Sequence, residues 1–289
     1  MSQPNRALGL ACATVIIFIW SGFIVFSRAG VTGGLTAHDL TALRFIVAGV
    51  ITLPFVWAWW PRHLPWRPVL MLSLCGPGAI YSALMFSGLE NATAAYGGVF
   101  ANGSLPLFTM LLVLLVSGVT PGRRQILAVG IIALGGVAVS WRGMTGGDDA
   151  LAGIALFLLA SAVLSIYIHG VGHWGITPRQ ALAVINVPNA ILFLPVWYFL
   201  LPSTISTAPV EIIVLHGLFQ GLGPGFIAVI LFALAATHLG PTPTAGFSAS
   251  VPASAALLAV PVLGEVPGPL EWTGIVIVTL GLALLIARR

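Results

Sequence analysis

The sequence predicts an all-α membrane protein: ten transmembrane helices built as two five-helix repeats of inverted topology. Three observations predict it. Asp, Glu, Lys and Arg are 6% of the 289 residues, against roughly a quarter in a soluble domain, and 58% of the residues are hydrophobic. Ten apolar stretches approach or exceed the ~20 residues that a helix needs to cross a bilayer. Pro and Gly recur at a constant offset of 146 residues, pairing Pro106 with Pro252, Gly118 with Gly264, Pro121 with Pro267 and Gly135 with Gly281.

The ten stretches are 7–28, 39–59, 68–88, 92–117, 122–141, 150–169, 179–200, 209–232, 242–263 and 268–286. Turn formers separate them: Trp60-Pro61, Thr120-Pro121-Gly122, Gly146-Gly147, Pro202-Ser203 and the run from Gly264 to Pro269. The first stretch exceeds the usual core of a signal peptide, about 7 to 15 residues, and runs on without a cleavage site, so a retained span is expected. Cys12 and Cys75 lie inside apolar stretches, where they read as packing residues rather than a disulfide or metal pair.

The division into repeats is placed at 1–146 and 147–289. Earlier helices pair with more drift: Gly9 and Ser21 with Gly153 and Ser165, Leu53-Pro54 with Leu194-Pro195, and Gly76-Pro77-Gly78 with Gly223-Pro224-Gly225. Five helices per copy is an odd number, so the second copy is expected upside down relative to the first. Orientation follows from arginine, since translocated loops are poor in positive charge. With a cytoplasmic amino terminus, Arg6, Arg62, Arg67, Arg123, Arg124, Arg179, Arg288 and Arg289 lie inside, and Arg28, Arg44 and Arg142 lie toward the outside. Both termini are then cytoplasmic. All seven acids fall on or near the outer side, including Asp148 and Asp149.

Several chemistries are excluded. A phosphate-binding P-loop requires a lysine, and the chain has none. The eleven arginines are scattered, so there is no basic stripe for nucleic acid. There is no His-Glu-x-x-His and no acid near a deep histidine, so neither a metal hydrolase nor a serine triad is indicated. No catalytic residue, metal or cofactor is expected. A charged or carbonyl-rich filter of the kind that marks a channel is also missing.

What remains is polar and aromatic residues at membrane depth, where each needs a partner or a water-filled cavity. Ser161, Ser165 and His169 form one stripe on helix 6; Trp20 and Ser21 lie on helix 1, Tyr81 on helix 3 and Gln220 on helix 8. Asn102 and Ser248 are repeat equivalents on helices 4 and 9, as are Ser104 and Ser250. The bland alternative for the serines is a bond to their own helix or close packing. Trp20 and Tyr81 divide between packing and substrate contact, and Trp59, Trp60, Trp66 and Trp141 read as interfacial anchors. His169 lies near the inner end of its helix, either interfacial or a proton-coupling group. Arg44, one turn into helix 2, is expected to latch onto Asp39 or Glu90. Helices 5 and 10 are aliphatic with small residues, as an outer scaffold would be.

Ten spans, the 5+5 inverted repeat, Pro106 and Pro252, the Leu263-Gly264-Glu265 exit from helix 9 and Trp20-Ser21-Gly22 of helix 1 together resemble the EamA family of the drug/metabolite transporter superfamily. Within it the chain is most similar to bacterial exporters of aromatic and other neutral amino acids of the YddG type. Val119 follows Gly118 where family repeats often place a Glu. The resemblance implies a central cavity between helices 1, 3, 4, 6, 8 and 9.

The expected function is therefore export of amino acids, aromatic or apolar, across a bacterial inner membrane by alternating access, with no obligatory proton gradient. The rival is export of other metabolites or drugs, with proton coupling. The expected substrate-binding residues are Trp20, Ser21, Tyr81, Asn102, Ser165, Tyr167, His169, Gln220, Ser248 and Ser250. Helix ends freed at the Gly-Pro breaks would help hold the ammonium and carboxylate. The expected partners are the small-molecule amino acid and the lipid bilayer, with no nucleic acid, and a monomer suffices.

Overall fold

The computed structural model describes residues 5–145, 150–240, 244 and 247–286. Asp148, Asp149, Arg288, Arg289 and the boundary at 146/147 lie outside the described residues. Among those described, the chain is all-helical, and nine helices are long and apolar enough to cross a membrane. They are α1 (Arg6–Thr32), α2 (Ala37–Trp59), α3 (Trp66–Asn91), α4 (Ala94–Ser117), α5 (Arg123–Thr145), α6 (Ala150–His173), α7 (Pro178–Leu200), α8 (Val210–Leu239) and α10 (Pro269–Ile286). A shorter apolar helix, α9 (Val251–Leu263), completes the set. The two ends of the bundle are named here by their residues, the Arg28 end and the Arg123 end.

Local chemistry explains the ends. Asn5 caps α1 by accepting from the Leu8 N–H, and reciprocal capping boxes start α2 (Thr36 with Asp39) and α7 (Thr177 with Gln180). The α4 and α9 helices both end on a left-handed glycine, Gly118 at φ 64° and Gly264 at φ 67°, a conformation other residues adopt only under strain.

Four spans are irregular, and each irregularity is local. The α2 span passes through a 3-10 turn at Leu53–Phe55, where Pro54 supplies no N–H. The α3 span breaks at Gly76, Pro77 and Gly78 between helical segments ending at Cys75 and restarting at Ala79. In α4, Gly97–Gly103 is wound as a π-helix, and in α8 so is Gly223–Ile227. Pro106 and Pro252 do not sit within continuous helix. Each occupies the first turn of a segment that restarts after a serine, Ser104 at φ −82°, ψ −12° and Ser250 at φ −82°, ψ −11°. A missing N–H costs nothing there.

Packing divides the helices into neighbourhoods. The α1 helix lies against α8 and α9, α6 lies against α3 and α4, α2 is held by α7 and α8, and α5 and α10 pack on each other. The last pair meets through small residues: a Cβ on Gly274 would stand 2.6 Å from the Gly135 carbonyl, and one on Gly135 would stand 2.8 Å from the Gly274 carbonyl. Close backbone approach of this kind is how membrane helices gain contact without a hydrophobic driving force. The main core joins Phe23, Ile24, Met85, Phe86, Leu89, Val99, Phe157 and Ala255 from α1, α3, α4, α6 and α9. A second cluster of Phe45, Leu72, Val184 and Ile185 seals α2, α3 and α7.

Candidate functional site

The organising feature is the crossing of α4 and α9. A Cβ on Gly98 would lie 3.1 Å from the Pro252 Cα, so at this point the two backbones touch. One turn further toward the Arg123 end stand Asn102 on α4 and Ser248 just before α9, both half-buried. Beyond them the helices part: Leu105–Ser117 of α4 has no buried residue and leans on α6, while α9 stays on α1. The π winding of Gly97–Gly103 adds a residue to the turn and so re-aims Asn102 relative to an ideal helix. Trp20 is half-buried beside this region, its ring 5.7 Å from that of Phe232, and it packs with Phe247 on the cluster of Cys12, Ala13, Ile16 and Ala235.

The Arg28 end is closed by hydrogen bonds. Arg28 of α1 pairs with Glu265 after α9 at 2.8 Å and donates to the Leu89 carbonyl of α3. The second oxygen of Glu265 accepts from the Ala94 N–H at the start of α4 at 2.9 Å. Tyr96 donates to Glu271 at 3.3 Å, and the Ala37 N–H donates to Glu90 at 2.9 Å. Asp39 accepts from Trp197 (2.9 Å), Ser203 (2.5 Å) and the Thr204 N–H (2.9 Å), tying α2 to the connection after α7.

The other expected site residues scatter. Tyr81 is buried on α3 near Arg44. Gln220 is fully buried, donates to the Ser27 hydroxyl at 2.8 Å, and leaves its Oε1 without a partner, as are the hydroxyls of Ser21 and Ser161. Ser165 and Ser250 donate to carbonyls of their own segments, Ala162 and Phe247, each at 2.7 Å, which is the bland arrangement. Tyr167 packs with the second cluster, its ring against Gly76, rather than beside Trp20. His169 stacks on His173 with ring centres 6.1 Å apart.

Two sequence expectations are corrected. Arg44 latches neither Asp39 nor Glu90: Asp39 accepts from the groups above, one Glu90 oxygen accepts from the Ala37 N–H, and Arg44 donates instead to the Pro77 carbonyl at 3.2 Å. At the breaks, side chains of α7 already hold some of the backbone groups expected to be free for a substrate. At the α3 break, Asn189 of α7 accepts from the Ala79 N–H at 2.8 Å and donates to the Ser73 carbonyl at 3.0 Å. In α8, π winding carries the chain through, and Asn186 donates to the Gly225 carbonyl at 3.1 Å and to Thr52 at 3.0 Å. Sequence reasoning missed both asparagines; their signal was two amides four residues or fewer apart in an otherwise apolar span.

A separate cleft of about 360 Å³ opens at the Arg123 end between α4, α5, α6 and α10, lined by Pro106, Thr109, Met110, Gln125, Ile168 and Leu285 among others. It contains none of the expected site residues.

Comparison with known proteins narrows the function. Residues 7–141 match the EamA-like transporter family. A protein of Bacillus subtilis (strain 168) described as the uncharacterized transporter YwfM is 29% identical over 285 residues, covering 94% of this chain and 93% of that protein. A crystal structure at 19% identity superposes over 97% of this chain and 96% of the other with a TM-score of 0.65, which shows a shared fold. The first five spans are thus similar to the EamA-like transporter family, a transporter-named relative is similar across both halves, and the described helices are numerous and apolar enough for a multi-pass membrane protein.

Proposed function

We propose that this transporter exports amino acids, aromatic or apolar ones, by alternating access across a bacterial inner membrane, with both termini in the cytoplasm. The observation that carries the reading is the Gly98–Pro252 crossing, closed above by the Arg28 network and parting below at Asn102 and Ser248. Half-buried polar groups at the point where two helices separate suit the ammonium and carboxylate of an amino acid, and Trp20 beside them suits an apolar side chain. The repeat 1–146 and 147–289 finds support in matched geometry: α1 on α8 and α9 mirrors α6 on α3 and α4, and the Ser104 and Ser250 junctions agree within a degree. The described acids all lie at the Arg28 end or the helix starts there, so no carboxylate at mid-depth relays protons, and facilitated export is the mechanism.

Counterflow of a panel of neutral amino acids in proteoliposomes tests the substrate, and flux that stops when the pH difference is collapsed while the substrate gradient persists sinks the uncoupled mechanism. Asn102→Leu and Ser248→Leu are expected to slow counterflow by about tenfold or more, an effect of about 1.4 kcal/mol on the rate-limiting barrier. Folded yield should hold, because interhelical polar contacts in membranes contribute about 0.6 kcal/mol on average. Normal counterflow in the Leu variants, or loss of flux only through misfolding, returns both residues to packing. Orientation is read by thiol labelling of intact cells: a cysteine at position 148 is expected to react and one at position 123 to be protected, and the reverse pattern overturns the inverted arrangement.

A further inference from the structure

Arg44 is 3% exposed, and among the described residues no acid pairs with it. A guanidinium carries five N–H donors. One reaches the Pro77 carbonyl, and the buried Nε has no acceptor among the described residues. The ring of Phe23 lies 5.4 Å below the guanidinium carbon and that of Phe45 lies 5.8 Å away. These faces favour a cation but supply no hydrogen bonds.

Its placement runs against the ordinary rule. A helical side chain leans toward the helix amino terminus, and an arginine near a span end extends to the nearer interface. For α2 both point to the Arg28 end. The contact of Ala37 with Glu90 sets α2 and α3 level there, and at 1.5 Å per residue Arg44 lies about 10 Å and Pro77 about 20 Å below it. The side chain therefore stretches toward the middle of the bundle. A second orphan is tied to the Phe23 backbone: Gln220 donates to Ser27, whose hydroxyl donates to the Phe23 carbonyl, and the Gln220 Oε1 is left without a donor. The His216 Nδ1, one turn away on α8, is likewise buried and unpartnered.

We propose that Arg44 is an anion-recognition group on the transport path, taking the carboxylate of the solute, with the Gln220 and His216 acceptors facing the solute's donors. This rests on the amino-acid reading above and assigns the α-carboxylate to α2 rather than to Asn102 and Ser248, which are left to the ammonium. A carboxylate matches the guanidinium fork with two parallel bonds and fills the place that a buried acid takes in a structural ion pair. A neutral carboxamide of the same shape does not.

The test compares phenylacetate with phenylacetamide on the purified full-length protein, following Tm by intrinsic fluorescence. Phenylacetate is expected to raise Tm in a concentration-dependent way and phenylacetamide is not. Arg44→Met should abolish the shift, and Arg44→Lys, which keeps the charge but not the fork, should weaken apparent affinity by about tenfold or more. The wild-type comparison needs no variant, so a Met variant that fails to fold leaves the result standing. Equal shifts from the two ligands, no shift from phenylacetate, or a shift that survives Arg44→Met overturns the proposal. The two readings fail separately. If no amino acid exchanges in counterflow while the carboxylate is still distinguished through Arg44, export of amino acids falls and the anion site stands. If amino acids exchange and the two ligands are equivalent, the anion site falls alone.

Discussion

Asn189→Leu is expected to produce the largest loss of stability of any single replacement in the interior. Leucine nearly matches asparagine in shape, so the change isolates the hydrogen bonds. Without the amide, the Ala79 N–H and the Ser73 carbonyl are orphaned at the α3 break, where neither water nor a neighbouring helix replaces them. At about 1–3 kcal/mol for each buried group left unsatisfied, the loss is about 2–6 kcal/mol, a large part of the total stability of a typical protein. Tm in detergent should fall by many degrees and monodisperse yield should collapse. Asn186→Leu is the internal comparison: it removes one amide donor shared by two acceptors and orphans no backbone N–H, so its cost should be smaller. Melting curves of the two variants that coincide with wild type would show that the α3 break is stabilised by something other than the Asn189 amide.

Glu265→Ala is expected to unlatch the Arg28 end. One carboxylate joins four helices there, binding Arg28 of α1 with one oxygen and the first turn of α4 with the other, while Arg28 also reaches α3. Hydrogen bonds to charged groups contribute about 1.5–3 kcal/mol, and both side chains are largely shielded, at 17% and 20% exposure, so the pair is worth more than a surface bridge. A change of about 1.4 kcal/mol shifts a two-state equilibrium tenfold. With Cys12 and Cys75 replaced by alanine and a reporter cysteine at position 95, buried near the start of α4, maleimide labelling should accelerate by about that factor in the Ala variant. Glu265→Gln keeps an acceptor for the Ala94 N–H but loses the charge, and should fall between. Labelling at the wild-type rate in both variants would mean that this network does not hold the end closed.

The spans were legible because hydropathy and length are one-dimensional quantities, and a lipid-facing helix must satisfy both within its own residues. The same holds for the caps at Gly118 and Gly264, where a left-handed residue demands glycine whatever packs around it. Arg44 shows where this reading stops. Its nearest acids in sequence suggested a latch, yet Asp39 is claimed by Trp197, Ser203 and Thr204, some 160 residues away, which no local pattern announces. The Gly-Pro breaks were visible, but whether their backbone groups stay open depends on Asn186 and Asn189 arriving from another helix. Asn102 and Ser248 were singled out as equivalents by spacing, and their shared position one turn below Gly98 and Pro252 follows from a crossing that only the folded chain contains.

By itself, then, the sequence determined which segments are long and apolar enough to span a membrane and which polar residues they carry, because each of these is decided by the residues of a single segment, whereas ends such as Leu239 of α8 and Val251 of α9 fell seven to nine residues from the predicted bounds. The tertiary structure alone decided which of those polar groups are already occupied. A hydrogen bond joins two atoms regardless of their separation in the chain, and in a medium without water most buried donors take the acceptor that packing brings to them, which leaves groups such as the Arg44 Nε as exceptions.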